Sequence, residues 1–473
     1  MVHHPKNECG CQSTPSLNTL DKGQPIIAIA TAAGRGSIGV IRISGSNLEE
    51  LYHSLTGVSP TNARYAYHLP ILDEDTSLID EAIVIFFKGP QSYTGEDVLE
   101  IQGHGGQAVM QLLLQRCLKV GQSSGLRLAE PGEFTLRAFL NDKMDLAQAE
   151  AVSDMIEASS SAAVKAAAAS LSGVFSGEVN SLAQQILNIR TLIEATLDFP
   201  EEEIDFIEKY EVKEKLEAIA FHLNETLIIS KQSSALKEGL KVVLAGEPNV
   251  GKSSLMNALF SQDIAIVTDI AGTTRDRIRE SLVLEGIPLV ITDTAGLRDT
   301  SDQIESLGIE RTWQSISESD LILDVCDARQ PDSFIQKYKH RTELQDKSII
   351  PVLNKCDLLA CDSPILDNYK DSLCLSAKTG QGLEQLKEII LKVAGRQVGE
   401  TSPWLGRQRH IEALDRACSH LSAAIEHSKL NDQVLDLVAE ELRLAHQELG
   451  QITGQVSADD LLGNIFSNFC IGK

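Results

Sequence analysis

Short runs of apolar and β-branched residues alternate with helical spacing in the first third of the chain. Four runs bounded by Gly, Pro or Ser predict β-strands at residues 26–30, 39–43, 82–87 and 98–102. Helical spacing covers residues 47–55 and 108–119, and Ser46 or Asn47 is placed to cap the first of these helices. We therefore expect an α+β domain over residues 1–141.

From residue 142 the pattern changes to the 3.6-residue period of long helices. Apolar positions such as Ala149, Val152 and Ile156 follow it, and helical spacing continues through residues 211–237 until Gly239 interrupts it. Residues 142–238 are therefore predicted to form the first part of an all-helical domain.

A buried-strand run, KVVLA at residues 241–245, opens a succession of strands and helices that lasts to about residue 393. Such alternation predicts a mainly parallel sheet in an α/β domain at residues 239–396. Helical spacing returns at residues 406–449, so residues 397–473 form the second helical part. Because neither helical part buries its own faces, we expect a multidomain α/β protein whose α/β unit is inserted into one discontinuous helical domain. Two separate helical modules are the alternative.

Charge and cysteine usage narrow the function classes. Lys and Arg number 42 against 67 Asp and Glu, a net charge of −25, which disfavours a broad basic face for nucleic acid. If RNA is the substrate, a partner or a local patch must supply positive charge. Nine cysteines without repeated metal-ligand spacing favour reduced thiols in a cytosolic compartment. Residues 1–24 lack the apolar core of a signal peptide and no later segment reads as a membrane span, so a cytoplasmic location is expected.

The segment GEPNVGKS at residues 246–253 follows the KVVLA strand and precedes a predicted helix. Its spacing fits the phosphate loop of nucleotide-binding proteins, in which backbone N–H groups surround the phosphate oxygens. Lys252 would add charge on the β and γ phosphates, and Ser253 would hold Mg²⁺.

Two further segments suit the γ-phosphate and its metal. Asp293 begins DTAG after an apolar strand and would reach Mg²⁺ through water, with a glycine amide facing the γ-phosphate. The segment TDIAGTTRD at residues 268–276 lies where a switch region is expected, and Thr273 or Thr274 would complete the Mg²⁺ shell.

Base selection is predicted from NKCD at residues 354–357. The Asp357 carboxylate can accept hydrogen bonds from N1 and N2 of guanine, whereas adenine would leave its charge unpaired. SAK at residues 376–378 comes next and can support the base through a backbone amide. Five motifs in this order predict a GTPase and oppose an ATP-dependent kinase. The expected nucleotide contacts are Asn249, Val250, Gly251, Lys252, Ser253, Ser254, Thr268, Asp269, Ile270, Ala271, Gly272, Thr273, Thr274, Asp293, Thr294, Ala295, Gly296, Asn354, Lys355, Cys356, Asp357, Ser376, Ala377 and Lys378.

The residue after DTAG is Leu297, where many small GTPases carry the glutamine that orients the attacking water. An aliphatic side chain cannot position water, so the catalytic group must come from elsewhere. The nearby polar candidates are Arg275, Arg277, Arg298, Asp299, Asp302 and Glu305.

Nearly the whole chain resembles the MnmE (TrmE) family of tRNA modification GTPases. The resemblance rests on GRGSIGVIRISG at residues 34–45, YTGEDVLEIQGHGG at 93–106, PGEFTLRAFLNDKMDLAQAEA at 131–151, DTAGLRDTSDQIESLGIER at 293–311 and the terminal FCIGK at 469–473. It implies an N-terminal folate-binding and dimerisation domain, a discontinuous helical domain and an inserted GTPase domain.

The resemblance also implies roles for individual residues. Contacts to a 5-formyl- or 5,10-methylene-tetrahydrofolate ligand fall on Arg42, Glu100, Lys143 and Lys473. A potassium site falls on Asn249, Thr268, Ile270 and Thr273. Glu305 matches the catalytic glutamate that orients water through a bridging water, and Cys470 is a candidate for the modification chemistry.

The function implied is GTP hydrolysis coupled to tRNA modification. With an FAD-containing MnmG-type partner, a homodimer of this chain would add a carboxymethylaminomethyl or related group at C5 of the wobble uridine. The alternative is a regulatory GTPase that acts as an assembly switch, for example on ribosomes, without modification chemistry.

Overall fold

The computed structural model describes most of the chain in separate stretches. They are residues 23–32, 34–198, 211–260, 279–284, 287–293, 313–331, 344, 347–359, 369, 372–393, 403–430, 434–455, 462–463, 465–466, 469–470 and 472. The chain divides into a first unit, residues 1–153 with 450–473, and a second unit, residues 154–449. The predicted domain boundaries at residues 141, 238 and 396 stay predictions.

The strands and helices follow in chain order. The strands are β1 (Ile26–Ile29), β2 (Ile38–Gly45), β3 (Ala66–Leu72), β4 (Leu78–Phe87), β5 (Asp97–His104), β6 (Arg127–Leu128), β7 (Leu240–Ala245), β8 (Arg279–Leu284), β9 (Ile287–Asp293), β10 (Leu321–Asp327), β11 (Ser348–Asn354) and β12 (Leu373–Cys374). The helices are α1 (Glu49–Thr56), α2 (Gln107–Val120), α3 (Glu133–Leu140), α4 (Leu146–Glu157), α5 (Ser161–Leu171), α6 (Val174–Asp198), α7 (Val212–Glu238), α8 (Lys252–Phe260), α9 (Leu383–Val393), α10 (Gln408–Ser428) and α11 (Leu435–Thr453).

The first unit is built on a six-stranded sheet in the order β3-β4-β5-β2-β1-β6. Its pairs are antiparallel except β1 with β6. One face carries Ile41, Ile43 and Leu99, which pack in one core with residues of α1 and α2 such as Leu51 and Leu113. This architecture confirms the predicted α+β class.

The C-terminal residues of the first unit add to its core. Leu462, Phe466 and Phe469 cluster with Leu136 and Leu146. Apolar side chains near the end of the chain are thus buried beside α3 and α4, and these positions are too far apart in sequence for a local pattern to reveal that they pack together.

The second unit contains a six-stranded sheet in the order β12-β11-β10-β7-β9-β8. All its pairs are parallel except the edge pair β8–β9, so the mainly parallel sheet is confirmed. The strands are apolar because both faces are covered; for example, all but the last residue of β10 are buried.

The helices on either side of this sheet in the sequence pack together. Helix α10 lies along α7, and it does so through buried residues at helical spacing, among them Leu414, Ala417 and Leu421. This packing confirms one discontinuous helical domain rather than two separate helical modules. No helix among the described residues is long and apolar enough to cross a membrane.

The predicted cap of α1 is wrong. The helix begins at Glu49, Leu48 occupies the N-cap, and no side chain there accepts a capping hydrogen bond. Asn47 adopts a left-handed conformation, φ 58°, which places it in the turn before the helix.

Candidate functional site

The phosphate loop connects the end of β7 to the start of α8. Gly246 has φ 147°, and a Cβ there would lie 2.2 Å from the carbonyl oxygen of Val325. Only glycine suits this combination of backbone conformation and close approach. Asn249 and Gly251 also have positive φ, 65° and 97°, so the loop turns tightly before the helix begins. The predicted loop is confirmed as a turn between a buried strand and a helix.

Lys252 is buried at the first position of α8, with 5% of its surface exposed. Its Nζ donates hydrogen bonds to the carbonyl oxygens of Gly246 at 2.8 Å and Glu247 at 3.0 Å. The ammonium group therefore lies against the curled loop, next to the N-terminus of a helix, where both the backbone and the side chain favour an anion. Ser253 and Ser254 follow on exposed positions of the same turn.

Asn354, at the end of β11, joins the base motif to the phosphate loop. Its Nδ2 donates to the carbonyl oxygen of Val250 at 3.0 Å, while its Oδ1 accepts from the N–H groups of Lys355 at 2.8 Å and Ala377 at 3.0 Å. With only 2% of its surface exposed, this amide holds three chain segments in a fixed relation. The predicted contacts around residues 249–252, 354–357 and 376–378 are thus brought to one end of the sheet.

Asp357 is exposed beside these segments. Its Oδ1 accepts a hydrogen bond from the Ser376 hydroxyl at 2.6 Å. Ser376 is itself buried, so it orients the carboxylate from below and leaves the opposite side open to solvent. An exposed, oriented carboxylate can accept two hydrogen bonds from a guanine edge.

The neighbouring Lys355 bridges two partners. Its Nζ donates to the carbonyl oxygen of Asn249 at 2.6 Å and lies 2.9 Å from Oδ2 of Asp327. Asp327 also accepts from the guanidinium of Arg329, at 3.0 Å on Oδ1 and 2.7 Å on Oδ2. Hydrogen bonds from Arg329, and then from Lys355, hold the pKa of the Asp327 carboxyl well below its usual range. Sequence reasoning missed Asp327 because this residue belongs to none of the recognised nucleotide-binding motifs.

Cys356 serves the fold of this motif. Its N–H donates to the carbonyl oxygen of Leu375, and its Sγ contacts the carbonyl oxygen of Leu353 at 3.1 Å. Burial first, and then the neighbouring Cys374, raises the pKa of the Cys356 thiol to about 11. The thiol therefore stays protonated near neutral pH and acts as a small packing side chain.

Several predicted residues lie outside the described part of the chain. They are Thr268, Asp269, Ile270, Ala271, Gly272, Thr273, Thr274, Thr294, Ala295, Gly296, Glu305 and Lys473. For Asp293 the backbone is described as the last residue of β9. The roles expected of all these residues stay predictions.

In the first unit, Arg42 and Glu100 face each other across β2 and β5. They are register partners, and the Nε and Nη2 atoms of Arg42 each lie 2.9 Å from Oε1 of Glu100. The guanidinium also lies 5.7 Å from the ring centre of Tyr93 and 5.9 Å from that of Phe134. Arg42 and Glu100 thus form a partly exposed ion pair, and the guanidinium lies beside two aromatic rings.

Of the other two predicted folate contacts, Lys143 is described and Lys473 lies outside the described residues. Lys143 is exposed and donates to the carbonyl oxygen of Pro90 at 3.0 Å, in the segment that leads to Tyr93. At the C-terminus, Arg42 Nη1 donates to the carbonyl oxygen of Gly472 at 3.4 Å, which places the neighbour of Lys473 at the site. Cys470 is exposed in the same segment.

A buried network that sequence reasoning missed supports this site. Glu133, 1% exposed, accepts from the guanidinium groups of Arg127 at 2.7 Å and Arg137 at 2.9 Å. Arg137 also donates a hydrogen bond to the Glu96 carboxylate, which accepts another from the hydroxyl of the buried Ser44. Burial opposes ionisation of Glu133, but hydrogen bonds from Arg127, the Glu130 N–H and Arg137 together hold its pKa below the usual value. The PGEFTLR segment carried the only signal, because its two charges are four residues apart on one helix.

Tyr93 is held in the same region. Its hydroxyl shares a hydrogen bond with the Thr135 hydroxyl at 2.8 Å. Burial raises the pKa of the Tyr93 phenol, so the ring stays neutral beside Arg42.

Comparison with known proteins gives matches over nearly the full length. A family model described as MnmE helical domain matches residues 146–470, and one described as GTP-binding protein TrmE N-terminus matches residues 25–143. A tRNA modification GTPase MnmE of Bordetella avium is 55% identical over 449 residues, covering 95% of this chain and 99% of the relative. One from Ralstonia nicotianae is 51% identical over 466 residues, covering 95% and 96%.

Among solved structures, Aquifex aeolicus Era bound to GDP and aluminium fluoride is 25% identical. It covers 38% of this chain and 65% of its own, with a TM-score of 0.26. The full-length relatives and the two family models, rather than this likeness, carry the assignment.

Proposed function

This chain belongs to the MnmE (TrmE) family of tRNA modification GTPases, and from that membership we propose the reaction that its GTP hydrolysis serves. The reaction adds a carboxymethylaminomethyl, or related aminomethyl, group to C5 of the wobble uridine of certain tRNAs. The one-carbon unit comes from a tetrahydrofolate derivative, 5-formyl- or 5,10-methylene-tetrahydrofolate. The protein acts in the cytoplasm as a homodimer that assembles with an MnmG-type partner carrying FAD.

The ion pair of Arg42 and Glu100 beside two aromatic rings is the observation that carries this proposal. A reduced folate has a flat pterin with an amide edge, which a carboxylate can bind, and carboxylates at its other end, which cations can bind. Because Arg42 and Glu100 lie 2.9 Å apart, they can meet only one end of such a ligand. Glu100 suits the amide edge, and Lys143 and Lys473 add cations. A GTPase that acted only as an assembly switch would have no need for such a site.

The net charge of −25 supports the division of labour with the partner. An acidic chain repels the phosphate backbone over most of its surface, so the MnmG-type protein makes most tRNA contacts. In this scheme the partner also carries out the reduction, because FAD is bound there.

At the GTP site the residues of this chain bind and orient the nucleotide. Lys252 and the N-terminal turn of α8 bind the phosphates, and Asp357 selects guanine over adenine. Ser253 and Thr274 hold Mg²⁺, which supplies charge at the β and γ phosphates; the hydroxyl of Ser253, on the first turn of α8, is the oxygen ligand that this ion prefers. Asn249, Thr268, Ile270 and Thr273 hold K⁺ by oxygen atoms.

Water activation rests on Glu305, because Leu297 cannot orient a water molecule. In this proposal Glu305 acts through a bridging water. Cys470 takes part in the modification chemistry, which is supported by its exposure two residues from Gly472 and by the contact of Gly472 with Arg42.

Calorimetric titration of the purified chain with 5-formyl-tetrahydrofolate tests the proposal. We expect binding that weakens at least about 10-fold in Arg42→Gln, because the charged pair is lost. His68→Gln, an exposed change on β3 of the same sheet, is the matched control. A folded chain that binds GTP but no reduced folate would favour the assembly switch instead.

Mass spectrometry of tRNA nucleosides then tests the modification itself. A strain lacking this gene should lose the C5 substituent from its wobble uridines, and the wild-type gene should restore it while the Arg42→Gln gene should not. Unchanged wobble nucleosides in the deletion strain would overturn the proposal.

A further inference from the structure

Asp327 lies outside every motif used above, yet it touches the base-binding motif. It ends β10 and is the register partner of Asn354, which ends β11. The carboxyl ends of neighbouring parallel strands meet at one edge of the sheet, the edge where α/β proteins bind ligands. Asp327 is therefore placed at the nucleotide site by topology, and its side chain is 16% exposed.

Both carboxylate oxygens of Asp327 are in use. Oδ1 accepts from the N–H and the Nε of Arg329, each at 3.0 Å, so the turn after β10 is closed by this side chain. Oδ2 accepts from Nη2 of Arg329 and from Nζ of Lys355. The turn thus presents a fixed negative charge to Lys355.

The ion pair with Asp327 holds the Lys355 side chain against the phosphate loop. The same Nζ donates to the carbonyl oxygen of Asn249, and the residue adopts a left-handed conformation, φ 66°. Immobilising a lysine side chain costs rotamer entropy, because its four-carbon stem has many rotamers. An ammonium held by two acceptors has lost that entropy before the nucleotide arrives.

We propose that Asp327 is a positioning residue for nucleotide binding, which fixes Lys355 so that the lysine ties the guanine-binding motif to the phosphate loop. It acts through Lys355 and makes no contact with the nucleotide of its own. Its effect is on binding in the ground state and the transition state alike, because the tie between the two motifs is the same in both.

The test is Asp327→Asn in the full-length protein, with affinity measured by a fluorescent GDP analogue and turnover measured with GTP. The new amide nitrogen would point a donor at the ammonium or the guanidinium, so Lys355 is released from one of its partners. We expect GDP to bind about 10-fold more weakly and KM for GTP to rise by the same factor. The kcat should stay within about twofold, the signature of lost uniform binding.

Asp320→Asn is the matched control. Asp320 directly precedes β10, at the opposite end of that strand from Asp327, and its Oδ2 accepts from the N–H of Lys241 on β7. Asp320→Asn removes the same charge as Asp327→Asn but at the sheet edge away from the proposed nucleotide site. The affinity of this variant for GDP should therefore match that of the wild type.

A double variant separates positioning from a structural effect. Lys355→Met keeps the aliphatic stem and removes the ammonium, so adding Asp327→Asn to it should cause no further loss of GDP affinity. Equal GDP affinity of Asp327→Asn and wild type, or a full additional loss in the double variant, would overturn the inference. Failure of the wild type to bind GDP would instead contradict the GTPase assignment.

Discussion

At the residue scale, Asp357 is the side chain predicted to select the base, and the neighbouring Ser376 orients it. Ser376 donates to one carboxylate oxygen from a buried position and so orients the exposed carboxylate. The NKCD motif predicted the position of Asp357 just after a strand, and its role in base selection stays a prediction. The SAK segment was expected to support the base through a backbone amide, and the hydrogen bond of the Ser376 hydroxyl to Asp357 was not predicted.

Asp357→Asn should exchange guanine for xanthine specificity. The amide donates where the carboxylate accepted, so it repels the guanine 2-amino group and matches the 2-oxo group of xanthine. We expect the affinity for GTP to fall by at least about 100-fold and that for xanthosine triphosphate to rise. Competition binding with both nucleotides measures this. Ser376→Ala should weaken both without changing the preference, and an unaltered GTP affinity in Asp357→Asn would contradict the assignment.

Glu133 is a residue whose importance only its surroundings reveal. Burial raises its folded-state pKa, but hydrogen bonds from Arg127, the Glu130 N–H and Arg137 outweigh burial and lower the pKa from the ordinary 4.5. The folded state therefore stabilises the ionised form of Glu133. This contribution to the free energy of unfolding is complete above pH 4.5 and is lost as the pH falls through the pKa of the folded state.

Glu133→Gln should thus lower the free energy of unfolding by about 3 kcal/mol at pH 7, because two arginines lose a buried partner. Urea unfolding from pH 7 to pH 3 should show a constant difference from wild type above about pH 5 that shrinks below it. Glu130→Gln, an exposed change three residues earlier, should behave as wild type. A difference that grows on acidification would contradict this account.

At the scale of elements, the phosphate loop was recognisable because its requirements are local. The turn needs glycine at positive φ, the strand before it is apolar, and the helix after it begins with Lys252.

The strand β3 was missed because its requirements are not local. Its burial pattern shows a single buried residue, Ile71, and its position is defined by pairing with β4 rather than by its own residues.

Asn249 sits at the turn of this loop and allows a test of the proposed potassium site. Its φ of 65° suits glycine as well as asparagine, and its carbonyl oxygen, which accepts from Lys355, is kept in any variant. Asn249→Gly therefore removes the side-chain oxygen without disturbing the backbone.

We expect wild-type GTP turnover to be at least about 10-fold faster in KCl than in NaCl, because a correctly placed cation stabilises charge in the transition state. Asn249→Gly should lose this difference while it still binds GDP. Steady-state hydrolysis in the two salts measures it. Equal wild-type rates, or full potassium stimulation of Asn249→Gly, would remove the potassium proposal.

At the scale of the whole second unit, a short segment that follows the α/β sheet in the sequence is fixed on the helices. Residues 404–406 return from the sheet and are held by three serines: Trp404 Nε1 donates to Ser230, Leu405 N to Ser170, and Gly406 N to Ser233. The core of the sheet continues into this junction through Leu405.

A buried carboxylate completes the junction. Asp154, 4% exposed, accepts from Lys237 at 2.7 Å and from two nitrogens of Arg407 at 2.7 and 3.0 Å. Lys237 precedes the inserted sheet domain and Arg407 follows it, so one carboxylate holds both of its connections. Nothing in the local pattern around residue 154 distinguishes it from an exposed helical aspartate.

Gly406→Ala tests how tightly the segment is docked. A Cβ at this position would lie 1.9 Å from the carbonyl oxygen of Ser230, so the segment or α7 must move. We expect the free energy of unfolding of the second unit to fall by about 3 kcal/mol. Gly177→Ala is the matched control, since a Cβ there meets nothing within 4 Å and alanine favours a helix. Thermal unfolding of both variants measures this, and equal stabilities would contradict the close docking.

Periodicity and motif spacing were enough to establish the order of an α+β segment, a helical segment, a parallel α/β segment and a second helical segment. They also predicted the phosphate loop between β7 and α8, because strand, turn and helix signals there act over a few residues. The resemblance to a family supplied Arg42, Glu100, Lys143 and Lys473, whose individual surroundings carry no distinctive pattern. The pairing of Arg42 with Glu100, the Glu133 network and the ties of Asp327 and Asp154 join residues from distant parts of the chain. Such pairs form only when burial and strand register bring opposite charges together, which no local pattern encodes.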